Sequence, residues 1–167
     1  DGSAGSDTVK YDYLDNTSLN GGNNYVKVDL GTNSAIVYTS ANASTTDVDT
    51  YIDIENITGS KNNDIFIMNK ADISNTINGA NGTDTISYEK YTASVTVDLG
   101  ATDGENALST NDIDTILNIE NLTGGTAGDS LTGNSEANII NGGAGADTIF
   151  SSKGIDTIDG GTSSTSG

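Results

Sequence analysis

The chain has 167 residues, of which 33% are hydrophobic, and sets 24 acidic residues against six lysines with no Arg, His or Cys, for a formal net charge of −18. This balance excludes disulfides and thiolate zinc sites, argues against nucleic acid and anionic lipid as partners, and favours cations. No stretch approaches the roughly 18 consecutive apolar residues of a membrane helix, so no membrane span is expected, and so polar a chain can order itself only around a thin, regularly supplied core.

Residues 1–78 form a first repeat unit. It opens with Gly2-Ser3-Ala4-Gly5-Ser6-Asp7-Thr8-Val9-Lys10-Tyr11, a glycine-bearing turn running into a short strand that Tyr11 is expected to cap. Val26, Val28 and Leu30 then alternate with polar residues, which predicts a half-buried strand. Asp47-Val48-Asp49-Thr50 reads as a turn or capping feature, and Ile54-Glu55-Asn56-Ile57-Thr58-Gly59 leads into a second glycine turn ending at Asp64. Residues 79–141 repeat the same anchors in the same order. These are Gly79 to Tyr88, Val97-Asp98-Leu99-Gly100, Asp112-Ile113-Asp114-Thr115 and Ile119-Glu120-Asn121-Leu122-Thr123-Gly124. Residues 142–167 begin a third unit, and the tail from Thr162 to Gly167 is expected to fray. Gly, Asn, Thr, Ser and Asp interrupt every candidate helical window, which predicts an all-β chain of short strands stacked in parallel. The sequence reads as a piece of a longer protein.

The last third carries a nine-residue beat. Leu122, Leu131, Ile140, Ile149 and Ile158 fall nine apart, and Gly124-Gly125-Thr126-Ala127-Gly128-Asp129 returns eighteen residues later as Gly142-Gly143-Ala144-Gly145-Ala146-Asp147. If two nine-residue half-turns complete one coil, motifs eighteen apart share an edge. Asp129 then stacks on Asp147 and Asn138 on Asp156, and the backbone from Gly124 to Thr126 and from Gly142 to Ala144 can turn carbonyls toward the gap. Six or so hard oxygens in flexible geometry suit Ca²⁺ better than Mg²⁺. The strongest site is expected between Asp129 and Asp147. The turn from Gly133 to Asn138 lacks two of the glycines and the Asp, and Ser151 to Asp156 lacks the paired glycines. Asp64 and Asp84 stand twenty apart, and Asp7 has no earlier partner.

These turns resemble the glycine-rich nonapeptide G-G-x-G-x-D-x-U-x of the RTX, or hemolysin-type calcium-binding, family. The resemblance implies a parallel β-roll or β-solenoid of tandem repeats, with calcium between stacked loops, folding when calcium is met outside the cell. It places the family's aspartate on Asp7, Asp64, Asp84, Asp129, Asp147 and Asp156. It also implies a calcium-binding structural module of a large secreted bacterial surface protein, adhesin or toxin, partnered by neighbouring repeats and open to end-to-end self-association. The alternative is a non-catalytic C-terminal module of a secreted protease, lipase or polysaccharide epimerase. Without His, Cys or Arg, and with acids that recur along the repeat, the chain is not expected to be an enzyme itself.

Overall fold

The recurrent segment is a triplet whose middle residue is apolar. A strand of three residues turns only that residue to one face, so each triplet delivers one side chain to the interior. In the computed structural model, which describes residues 4–12, 14, 24–38, 46–68, 74–101, 107–109 and 112–162, these triplets are strands and no helix occurs among the described residues. Thr162, expected to fray, instead bridges Ala144 through backbone bonds with Gly143 and Gly145, and the rest of the tail lies outside the described residues. Residues 1–78 contain β1 (Thr8–Lys10), β2 (Tyr25–Asp29), β3 (Ser34–Tyr38), β4 (Thr46–Thr50), β5 (Asn56–Thr58), β6 (Ile65–Ile67) and β7 (Thr76–Asn78). Residues 79–141 contain β8 (Thr85–Ser87), β9 (Thr96–Asp98), β10 (Ala107–Ser109), β11 (Asp112–Leu117), β12 (Asn121–Thr123), β13 (Ser130–Thr132) and β14 (Ile139–Asn141), followed by β15 (Thr148–Phe150) and β16 (Thr157–Asp159).

Two eight-stranded sheets result, ordered β1-β5-β7-β11-β10-β9-β13-β15 and β16-β14-β12-β8-β6-β2-β3-β4. Successive coil strands alternate between the sheets and pair in parallel with the strand of the next coil. Their register aligns the inward residues in rows. One row is Val28, Phe66, Ile86, Leu122, Ile140 and Ile158. The opposite sheet carries Val9, Ile57, Ile77 and Ile116, and then Val97, Leu131 and Ile149. Val28, Phe66, Ile77, Ile86, Leu131 and Ile140 are all fully buried, so the nine-residue beat is the core itself. In the last strand the inward Ile158 is 47% exposed, while Phe150, flanking the inward Ile149 of β15, is 52% exposed.

Among the described residues the stack departs from parallel pairing at two places. β2-β3-β4 and β9-β10-β11 are antiparallel meanders at equivalent positions of the two units. Alternation in Val26, Val28 and Leu30 predicted the strand, but it is blind to the direction of the partner. The stretches containing Asp49 and Asp114 are therefore strand, in β4 and β11, and not turns. Their carboxylates answer the tyrosines. The Tyr11 hydroxyl donates to Asp49 Oδ2 (2.9 Å) and also meets the Tyr51 hydroxyl, while the Tyr88 hydroxyl donates to Asp114 Oδ2 (3.5 Å). Tyr11 and Tyr88 are 2% and 1% exposed, so each needs such a partner to bury its phenol.

Among the described residues, 1–78 and 79–141 each give five strands to the alternation: β1, β2, β5, β6 and β7, and β8, β9, β12, β13 and β14. Five is odd, so equivalent strands of successive units fall on opposite sheets. The first meander therefore adds β3 and β4 to one sheet, and the second adds β10 and β11 to the other. Both sheets grow by the same number of strands over two units, and the coil accommodates its insertions without one face outrunning the other.

Candidate metal centre

At eight coil strands, a backbone amide at or beside the strand's start donates to a side-chain oxygen of the next coil. Along one edge, the amide of Val26 donates to Asp64 Oδ1 (2.7 Å), that of Asp64 to Asp84 Oδ1 (2.6 Å), and that of Asp84 to Glu120 Oε2 (2.8 Å). Further along, the Asn138 amide donates to Asp156 Oδ1 (3.1 Å). On the other edge, the Asp7 amide donates to Glu55 Oε2 (3.0 Å), the Asn75 amide to Asp114 Oδ1 (3.0 Å), the Val95 amide to Asp129 Oδ1 (2.9 Å), and the Asp129 amide to Asp147 Oδ1 (2.9 Å). Acidic side chains thus recur along both edges, with continuous runs from Val26 to Glu120 and from Val95 to Asp147.

The rows join the residues that the sequence paired. Asp129 stacks on Asp147 and Asn138 on Asp156 at the eighteen-residue spacing, and Asp64 stacks on Asp84 despite the two extra residues between them. Gly124 and Gly142 lie where a Cβ would meet Asp129 Oδ2 at 2.6 Å with Gly142 O at 2.3 Å, and Asp147 Oδ2 at 2.6 Å with Gly160 O at 2.8 Å, respectively. Thr126 is tied to Tyr91 O through its amide, and the Ala144 amide to Gly125 O. Asn138 is saturated: its Oδ1 accepts from the Asn134 amide (2.9 Å), and its Nδ2 donates to Glu120 O (2.7 Å) and Asn134 Oδ1 (2.9 Å). Glu55 and Glu120 are the members that sequence reasoning missed. Their recurrence in Ile-Glu-Asn was visible, but nothing in a glycine-poor lead-in marked them as standing where other coils place an aspartate.

Among the described residues no three carboxylates converge on one point, so a cation here would draw on backbone oxygens as well as side chains. The chemistry of the rows fits a hard cation. Asp7 Oδ2, Asp84 Oδ2 and Asp147 Oδ2 are buried and accept no hydrogen bond. Beside Gly79, a Cβ would meet Asp84 Oδ2 at 2.4 Å and Asn118 O at 2.2 Å, so a carboxylate and a carbonyl oxygen face one small cradle with no donor between them. Two electron-rich oxygens turned together without a proton are costly unless a positive charge joins them.

The same burial acts on the proton affinity of these groups. Burial, with the charges of Asp64 and Glu120 beside it, pushes Asp84 up to about 8, against the bond from the Asp64 amide. Burial likewise raises Asp64, and raises Asp129 with help from Asp147. A carboxyl raised in the folded state binds its proton more tightly there than in the unfolded chain, whose Asp titrates near ~3.9. Metal-free stability therefore falls as pH rises from ~4 toward 8, and the repulsion of an acidic chain acts in the same direction. By calorimetry in calcium-depleted buffer, the unfolding temperature is expected to be higher at pH 5 than at pH 8. Asp84→Asn should flatten that dependence, and calcium should invert it because the proton and the ion compete.

The chain matches no curated protein sequence. The family model of the RTX calcium-binding nonapeptide repeat matches residues 123–158 in four copies. Those residues contain the turns ending at Asp129, Asn138, Asp147 and Asp156 together with strands β13, β14 and β15 and the first two residues of β16. The stacked turns of residues 123–158 thus match the RTX calcium-binding nonapeptide repeat, in a chain whose described residues are strands without a helix.

Proposed function

We propose that the chain is a calcium-dependent structural segment of a large secreted bacterial protein, an adhesin, toxin or surface protein, and that it performs no catalysis itself. The observation that carries this reading is the set of buried carboxylate oxygens without donors, repeated from unit to unit rather than gathered in one cleft. A repeated charge defect on a thin core is a folding device. Each ion bound only by the folded state adds about 2.7 kcal/mol at a hundredfold excess over its Kd, against a backbone ordering cost of roughly 1–2 kcal/mol per residue. An extracellular setting supplies calcium continuously, and repeats of this family occur in secreted bacterial proteins. The exposed Ile158 and Phe150 at one end and Val48 and Ile52 near the other suit stacking against neighbouring repeats of a parent chain.

Far-UV circular dichroism tests the reading. Chelation should abolish most of the β signal, and calcium should restore it while magnesium at the same concentration does not. A spectrum unchanged by excess chelator would sink the proposal.

A further inference from the structure

The glycine turns are of two kinds. In the turns led by Thr58, Thr123 and Thr132, the amide two residues on is taken by the turn's own final side chain. Ser60 donates to Asp64 Oδ2 (2.5 Å), Gly125 to Asp129 Oδ2 (2.6 Å) and Asn134 to Asn138 Oδ1 (2.9 Å). In the turns led by Asn78 and Asn141, the same amide turns away to the asparagine. Ala80 donates to Asn78 Oδ1 (3.0 Å) and Gly143 to Asn141 Oδ1 (2.9 Å). The backbone differs accordingly. Ala80 and Gly143 sit at φ 76° and 89°, and two residues later Gly82 and Gly145 sit at 141° and 131°. The matching positions of the Thr-led turns, Ser60 with Asn62 and Gly125 with Ala127, are not in the left-handed region.

One amide has one proton. Where asparagine takes it, the final aspartate loses a donor, and these are the turns whose aspartates, Asp84 and Asp147, hold a buried Oδ2 without a partner. Asp84 is itself fully buried. Where threonine leads, Asp64 and Asp129 are capped on both oxygens. Resting on the calcium reading above, we infer that the residue before the first glycine, together with glycine three places after that first one, decides which turns take an ion: Asn78 and Asn141 open Asp84 and Asp147 to calcium, and the Thr-led turns close on themselves. The carbonyl partners follow from the cradles, Asn118 O for Asp84 and Gly160 O for Asp147. Asp7 ends the first turn of its unit as Asp84 does of the next, and it too has an unpartnered buried Oδ2 beyond Gly5 at φ 143°. The open carboxylates therefore come one to a unit, at the turn that begins it. Asn78 and Asn141 are positioning residues, since they act by withdrawing a donor from the ligand.

The test is calcium titration of the 167-residue chain by isothermal calorimetry, with calcium chloride as the only ligand. Asn78→Thr and Asn141→Thr should each lose one ion or weaken one site at least tenfold. The double variant Thr123→Asn/Ala127→Gly, which rebuilds the 141–145 pattern at 123–127, should gain one, a result that misfolding cannot produce. If the wild type binds calcium and all three variants match it in stoichiometry and affinity, the inference is overturned while the calcium reading stands. If the wild type binds none, the calcium reading fails and takes the inference with it. Should the threonine variants not fold, the double variant decides alone, a gain supporting the assignment and no gain overturning it.

Discussion

Gly79→Ala is expected to destabilise the fold by about 2–3 kcal/mol and to remove the calcium response of the second unit. The added methyl would lie 2.2 Å from Asn118 O and 2.4 Å from Asp84 Oδ2, with Asp84 Cβ at 2.8 Å. Two of these contacts are with parts of the molecule that cannot swing aside: a backbone carbonyl of the next coil, and a carboxylate held through its other oxygen by the Asp64 amide. The effect should therefore be larger than a helix or loop substitution of the same size. Urea unfolding in saturating calcium would show the loss as a lowered midpoint. Gly160→Ala is the control: nothing lies within 4 Å of its Cβ position, and its midpoint should not move.

Phe66→Ala is expected to cost about 3–5 kcal/mol, the usual penalty for emptying a buried aromatic site. Phe66 is fully buried in β6, between Val28 and Ile86 in its row. A coil has few other inward side chains with which to fill the space. With a total stability of about 5–15 kcal/mol for a typical domain, such a loss should leave the variant folded only in high calcium. A thermal melt at several calcium concentrations checks this, and an unchanged melting temperature at low calcium would contradict it. Ile158→Ala in the same row should cost much less, because Ile158 is half exposed at the end of the stack.

These two positions show how far the sequence reaches. The core was legible because each coil repeats one apolar residue at a fixed place, so Leu122, Leu131 and Ile140 could be read nine apart without any pairing information. The edge rows were legible only where glycine and aspartate recur together. Glu55 and Glu120 do the same work from a lead-in without that signature, and Asp64 stacks on Asp84 although the spacing is twenty, because extra residues loop out between strands without shifting the ladder. The meanders escaped because alternation reports which face is buried and nothing about strand direction. The two turn classes were hidden for another reason. Gly124 to Asp129 and Gly142 to Asp147 look like the same hexapeptide, yet the glycine that permits a positive φ stands fourth in the second turn and fifth in the first. The deciding acceptor, Asn141 or Thr123, lies just outside the motif.

The central claim is that calcium completes the carboxylate rows. Its most direct test is an anomalous difference map from crystals grown in calcium. The expected result is density at coordination distance from Asp84 Oδ2 with Asn118 O, and from Asp147 Oδ2 with Gly160 O. Well-ordered crystals with no anomalous peak beside either oxygen, in calcium far above any physiological level, would contradict it.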